Sequence, residues 1–217
     1  MEDIFHQTRR WVYQAVILLS INGGFVNAVT FVSFFKNPVG YVTGTITFAA
    51  SYLTHGDMAN FVSMLLAILA FLIGAIISGV IIPYNNFNRN NKYNWVFTIE
   101  AMLLFCGMLG LLHDIEFSKY LLAMALGMQN ASTTFYGMSM LRTTHMTGTM
   151  TDLGLTIAHK LIKRHDIPRW KFYVYLLLIL GFFTGSVMGI VCFDYFGYYS
   201  LVISVVICLI MLSTLHF

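Results

Sequence analysis

Residues 59–82 read ANFVSMLLAILAFLIGAIISGVII, a run without a single charged side chain. A bilayer core about 30 Å thick is crossed by a helix of roughly 20 mainly apolar residues, so this stretch reads as a membrane span. Working outward, residues 11–35, 95–112, 119–138, 172–193 and 196–213 carry the same signature. Two further segments, 40–53 and 144–162, are shorter or more polar and rich in threonine. Of the 217 residues, 58% are hydrophobic and 10% charged, and the mean hydropathy is +0.76. A soluble domain typically carries about 25% charged residues, and too little polar material remains here to cover one. The expected fold is an all-α polytopic membrane protein, a single membrane domain over 1–217.

The rest of the composition narrows the class. Cys106, Cys192 and Cys208 sit inside apolar runs at unrelated spacings, as small core residues do, with no disulfide framework or zinc signature. The polar start, with Glu2, Asp3, His6, Arg9 and Arg10, leads into an apolar stretch too long for a signal-peptide core, so the first span is expected to stay. The net charge of +3 is modest and the basic residues lie at loop positions, which points to membrane lipids as partners and away from nucleic acid. His159, Lys160, Lys163, Arg164 and His165 form the most basic cluster, suited to anionic headgroups. No cofactor and no metal is expected.

Basic residues accumulate on the cytoplasmic side of membrane proteins. If all eight segments cross and the N-terminus is inside, the Lys and Arg count is eight inside to four outside. If the two threonine-rich segments dip in without crossing, Arg89, Lys92 and Arg142 move inside, Lys119 moves out, and the count is ten to two. The arithmetic favours six full spans plus two short or re-entrant helices, with both termini cytoplasmic. Such broken segments at membrane depth need protein or a water-lined cavity around them.

The halves also match. Gly24-Phe25-Val26-Asn27-Ala28 parallels Gly127-Met128-Gln129-Asn130-Ala131 at an offset of 103, and Thr43-Gly44-Thr45-Ile46-Thr47 parallels Thr147-Gly148-Thr149-Met150-Thr151 at 104. Phe71-Leu72-Ile73-Gly74 parallels Phe182-Phe183-Thr184-Gly185 at 111. The expected organisation is a pair of internal repeats, about 11–113 and 119–215. With three full spans in each, the second would insert upside down, an inverted two-fold arrangement common among transporters.

The polar residues inside these segments are the candidate site. Asn27, Gln129 and Asn130 put carboxamides into apolar helices, where an amide needs a partner and serves either as a clamp between helices or as a substrate contact. Thr43, Thr45 and Thr47, with Thr147 and Thr149, offer hydroxyls around a glycine. A half-helix starting there would aim free N–H groups at a small solute or anion. His145, Thr149, Asp152, Thr156 and His159 fall on one side of a helix, where the first half has Tyr41, Thr45, Phe48 or Ala49, Tyr52 and His55. Any proton-linked or ion-binding role would therefore centre on Asp152, with His145 as neighbour. Glu100, the sole acidic residue of its span, either reaches the interface, pairs with a base or joins an ion path. Small residues at Gly74 and Ser78, and at Gly181, Gly185 and Gly189, make smooth faces for packing between the halves or between protomers of a homo-oligomer.

Gly24 through Ala28, Thr43-Gly44-Thr45 followed by His55-Gly56-Asp57, Gly127 through Ala131, and Arg142-Thr143-Thr144-His145-Met146-Thr147-Gly148-Thr149 leading to Asp152-Leu153-Gly154 form an ordered set. In this set the chain resembles the YoaK-like membrane proteins, the DUF1275 or UPF0700 family, over most of its length. The resemblance implies a prokaryotic cytoplasmic (inner) membrane protein and carries no biochemical activity with it. Family members resemble one another in a Thr-Gly-Asn segment, where Thr45 stands here, and in a first-helix aspartate, matched here by Asn27.

The leading functional expectation is a small-solute or ion transporter with a polar site between the halves. The competing class is a non-transporting membrane scaffold or regulatory interaction protein. A membrane enzyme ranks third, since no HExxH, GxSxG or P-loop pattern is present.

Overall fold

The computed structural model describes residues 10–33, 35–82, 92–134, 142–162 and 169–215. The asparagine-rich loop over 83–91, the middle of the basic loop at 163–168 and the polar start before Arg10 lie outside the described residues. Within them every regular element is helical: α1 (Arg10–Val32), α2 (Val42–Thr54), α3 (Met58–Ile81), α4 (Lys92–Leu112), α5 (Ser118–Thr134), α6 (Met146–Leu161) and α7 (Arg169–Phe196), then a 3-10 turn (Gly197–Leu201) and α8 (Val202–Leu215).

The all-α reading holds, whereas six full spans plus two short helices in an inverted repeat does not. Among the described residues four helical runs are long and apolar enough to cross a membrane: Tyr13–Val32, Met58–Ile81, Lys92–Leu112 and Arg169–Ser213. The segment expected over 119–138 is helical over its described part, Ser118–Thr134, whose last turns carry Gln129, Asn130, Ser132 and Thr133; residues 135–138 lie outside the described residues. The segments expected at 172–193 and 196–213 fall within one apolar helical run, interrupted by a 3-10 turn. Helix continues to Phe196, and the 3-10 turn joins it to the 14 residues of α8 in one run of 45. Hydropathy marks which residues avoid water; it does not mark where a helix stops, and these two boundaries depended on that.

The two threonine-rich segments are short helices, of 13 and 16 residues. Between α2 and α3 the chain turns at Gly56, whose φ of +74° favours glycine. Asp57 then caps α3, accepting from the Asn60 backbone N–H at 3.1 Å and from Asn60 Nδ2 at 2.7 Å. Those bonds, the side-chain one first, hold the Asp57 carboxyl below its usual range. The sequence expectation of a polar segment end at His55-Gly56-Asp57 fits this turn.

Packing follows an inside-out pattern suited to lipid. On α3 the buried stripe is Met64, Ala67, Ala70, Gly74 and Ser78, while Val62, Leu65, Leu66, Leu69, Leu72, Ile73, Ile76 and Val80 are exposed. Small residues face protein and large ones face outward, as expected where lipid tails are as apolar as leucine and close contact drives association. The most extensive contacts join α1 to α7 and α3 to α5; α4 lies against α5 and α8, α2 against α3, and α6 against α7.

Glycines make the two main contacts possible. A methyl group at Gly24 would collide with the Phe182 carbonyl of α7, and one at Gly185 with the Ile21 carbonyl of α1. In the other pair, Gly74 faces the Met124 carbonyl and Gly127 the Phe71 carbonyl in the same way. Residues that match in sequence thus make matching contacts, although the helices carrying them differ in length. The faces of Gly74, Gly181, Gly185 and Gly189 are all occupied within the chain, so a homo-oligomer would have to use other surfaces.

Candidate functional site

Two asparagines shape the site by holding loops. Asn27 Nδ2 donates to the Gly23 carbonyl at 2.7 Å, and its Oδ1 accepts from the Gly40 N–H at 2.7 Å. Asn130 Nδ2 donates to the Leu126 carbonyl and to Thr144 Oγ1, both at 2.8 Å, and its Oδ1 accepts from the Thr144 N–H at 3.1 Å. Each amide satisfies a carbonyl of its own helix and fixes the chain just before a short helix begins. Of the two roles the sequence allowed, both asparagines take the clamp, while their positions still border cavities.

The starts of α2 and α6 come together at those cavities. One, of about 420 Å³, is lined by residues that include Tyr41, Thr43, Asn130, Arg142, His145 and Thr147. A second, of about 330 Å³, includes Asn27, Phe31, Tyr41, Thr144, Thr147 and Ser186. Gly40, Tyr41, Thr144, Met146 and Thr147 border both. Neither Tyr41 nor His145, the residues preceding the two helices, makes a side-chain cap, so the first-turn N–H groups lack that partner. With Arg142 and His145 also on the wall, the lining suits a polar or anionic group.

The glycine of each Thr-Gly-Thr segment has a role that the sequence did not disclose. A methyl group at Gly44 would strike the Tyr41 ring, and one at Gly148 would strike the His145 ring. Each glycine is a seat for the aromatic ring at the head of its helix. Replacing Gly148 with alanine is expected to unseat the imidazole without unfolding α6, because alanine is the better helix former by about 1 kcal/mol. Diethyl pyrocarbonate modification of His145 in the purified variant is expected to accelerate several-fold, with thermal stability retained.

The remaining hydroxyls serve the helices. Thr45 Oγ1 donates to the Tyr41 carbonyl at 2.9 Å and accepts from Asn37 Nδ2 at 3.1 Å, and Thr149 Oγ1 donates to the His145 carbonyl at 3.0 Å. Thr47 Oγ1 donates to the Thr43 carbonyl at 3.2 Å and does not border either cavity. On α6, Thr149 and Thr156 are buried and Asp152 is half-buried; since α6 packs on α7, this stripe is a packing face. Asp152 borders neither cavity. No cation among the described residues pairs with it. His145 and Asp152 therefore do not converge on one point.

A second polar group lies deeper, where α1, α4, α5 and α8 meet. Gln129, fully buried, donates through Nε2 to the Leu19 carbonyl at 2.9 Å and to Thr143 Oγ1 at 2.7 Å, and its Oε1 accepts from Asn22 Nδ2 at 2.8 Å. Asn22 Nδ2 also lies 3.4 Å from Glu100 Oε1 and 3.8 Å from Cys208 Sγ. Glu100 is 0% exposed, and both it and the Cys208 thiol lie within reach of the same Asn22 Nδ2. Of the alternatives for Glu100, the interface and an ion pair are thus absent among the described residues. Asn22 was missed in the sequence; a further amide in the apolar run of α1, five residues before Asn27, was the signal available. Among the described residues no group of three His, Cys, Asp or Glu side chains is placed to hold a metal ion.

Spans with lipid-sized apolar outer faces and a polar interior define a multi-pass helical membrane protein. The family model described as "Protein of unknown function (DUF1275)" matches residues 15–214, and the chain belongs to that family. No curated protein and no solved structure matches it.

Proposed function

We propose that the protein moves a small polar or anionic solute across the membrane, through the cavities where α2 and α6 begin. The observation that supports this is the meeting of two uncapped helix starts, Arg142 and His145 at a cavity within a bundle whose outer surface is apolar. Oriented N–H groups offer an anion fixed partial charges with little reorganisation. Thr43, Asn130, His145 and Thr147 are the wall residues on which this reading depends; Asn27 and Asn130 hold the walls in place. The membrane is taken to be the prokaryotic cytoplasmic membrane, as the resemblance implies.

Thr147 is exposed and borders both cavities, so a tryptophan there fills the passage while sparing the core. Proteoliposomes holding the protein are to be tested for uptake of labelled chloride, phosphate, acetate and lactate. At least one is expected to enter faster than into empty liposomes, and Thr147→Trp is expected to return that rate to the empty-liposome level. No flux of any probe, or flux indifferent to Thr147→Trp, sinks the proposal.

A further inference from the structure

Two buried oxygens in the deep polar group have no hydrogen-bond partner: Glu100 Oε2 and Asn22 Oδ1. They belong to side chains that already meet through Asn22 Nδ2 and Glu100 Oε1 at 3.4 Å. Both orphans are acceptors, and a buried acceptor without a donor costs about 1–3 kcal/mol. An acid and an amide paired edge to edge share two bonds, N–H···O and O–H···O, and in that arrangement a single hydrogen on the acid satisfies both remaining oxygens. We propose that Glu100 carries a proton on Oε2 and donates it to Asn22 Oδ1, making this pair a proton-binding site inside the membrane.

Among the described residues the surroundings supply no competing charge. Of the titratable groups on the packed helices, Cys208 of α8 shares Asn22 Nδ2 with Glu100. Lys119 and Tyr120 of α5, and Arg10 and Tyr13 of α1, lie more than two turns along their helices from Gln129 and Asn22. Lys92, Tyr93 and Cys106 are on α4 itself, Lys92 at its start and more than two turns from Glu100; Tyr198 and Tyr199 are in the 3-10 turn, and α3 carries none. The Lys119 ammonium pairs with Glu116 at 3.6 Å and sits over the Phe35 ring at 4.9 Å.

The site is wired to the cavity wall. Asn22 Nδ2 has two hydrogens and is shared among Glu100, Gln129 and Cys208. A proton leaving Glu100 leaves a charge that draws this amide away from Gln129. Gln129 in turn holds Thr143, next to the Thr144 that lines both cavities. This last step, coupling of the proton to the passage, rests on the transport reading; the proton site itself does not.

The test uses infrared spectra of the whole protein in lipid nanodiscs. Wild type is expected to show a protonated-carboxyl C=O band that moves to lower frequency in deuterated water and vanishes in Glu100→Gln. Asn22→Leu, which keeps the carboxyl but removes its acceptor, is expected to move the band to higher frequency. Glu100→Gln is expected to melt with wild type, since its amide N–H donates where the acid did, and Glu100→Leu to melt lower. A wild-type spectrum without the band, or a band indifferent to both Glu100 and Asn22, overturns the proposal. Equal destabilisation by Gln and Leu does so as well. None of these readouts involves flux, so a failure here and a failure of the transport reading are separate results.

Discussion

Gly185→Leu is expected to yield no folded protein in detergent. The contact it would break, α1 against α7, is one of the two largest in the molecule, and even a methyl group at Gly185 would meet the Ile21 carbonyl, carbon and Cα. Backbone cannot swing aside as a side chain does, so the helices must separate, and without water to drive them together they have little but close packing to hold them. Overpacking of a well-filled core costs about 1–3 kcal/mol when side chains can adjust; here they cannot, and Gly185→Ala is expected at or above that range. The control is Gly154→Ala on α6, where nothing lies within 4 Å and the gain in helix propensity is about 1 kcal/mol. Size-exclusion profiles and thermal melts of the three variants check the series. A Gly185→Leu variant that elutes and melts as wild type does contradicts it.

Gln129→Leu is expected to be the next most damaging change. The side chain is fully buried and makes three bonds, to the Leu19 carbonyl, Thr143 Oγ1 and Asn22 Nδ2. Leucine fits the volume but strands each partner. In water-soluble proteins each stranded buried group costs about 1–3 kcal/mol; within a bilayer the measured bonds average nearer 0.6 kcal/mol, because a loosened helix finds other partners. A loss of roughly 2–4 kcal/mol follows from three such bonds. The change also frees the chain before α6, so protease cleavage near Thr143 is expected to rise together with the fall in melting temperature. Asn22→Leu added to Gln129→Leu is expected to cost less than the sum of the two, since they share a bond. Strict additivity in that double variant is the contrary result.

Gln129 and its neighbour also show how far the sequence could be read. Both stood out as amides in an apolar helix, and both are buried, but adjacent residues on a helix point about 100° apart. One joins Glu100 and Asn22 in the core, and the other pins Thr144 beside a cavity; which is which depends on helices distant in the chain. Gly24 and Gly127, Asn27 and Asn130, and the two Thr-Gly-Thr segments were legible as pairs, and each pair makes corresponding contacts. The number of spans was not legible, because hydropathy does not mark where a helix stops, and α7 runs past the boundary that hydropathy suggested. Asp152 looked central because helical spacing shows which residues share a face; it does not show that this face is packed against α7.

The two seated rings give the cavities a sense of direction. Wherever the halves agree in glycine, asparagine and threonine, they disagree in the ring that rests on the glycine: a phenol at Tyr41, an imidazole at His145. A visitor touching both helix heads would meet two ring nitrogens at one of them and a single hydroxyl at the other. Matched positions of the two halves thus offer unequal chemistry to whatever enters between them, so the space has two distinguishable ends.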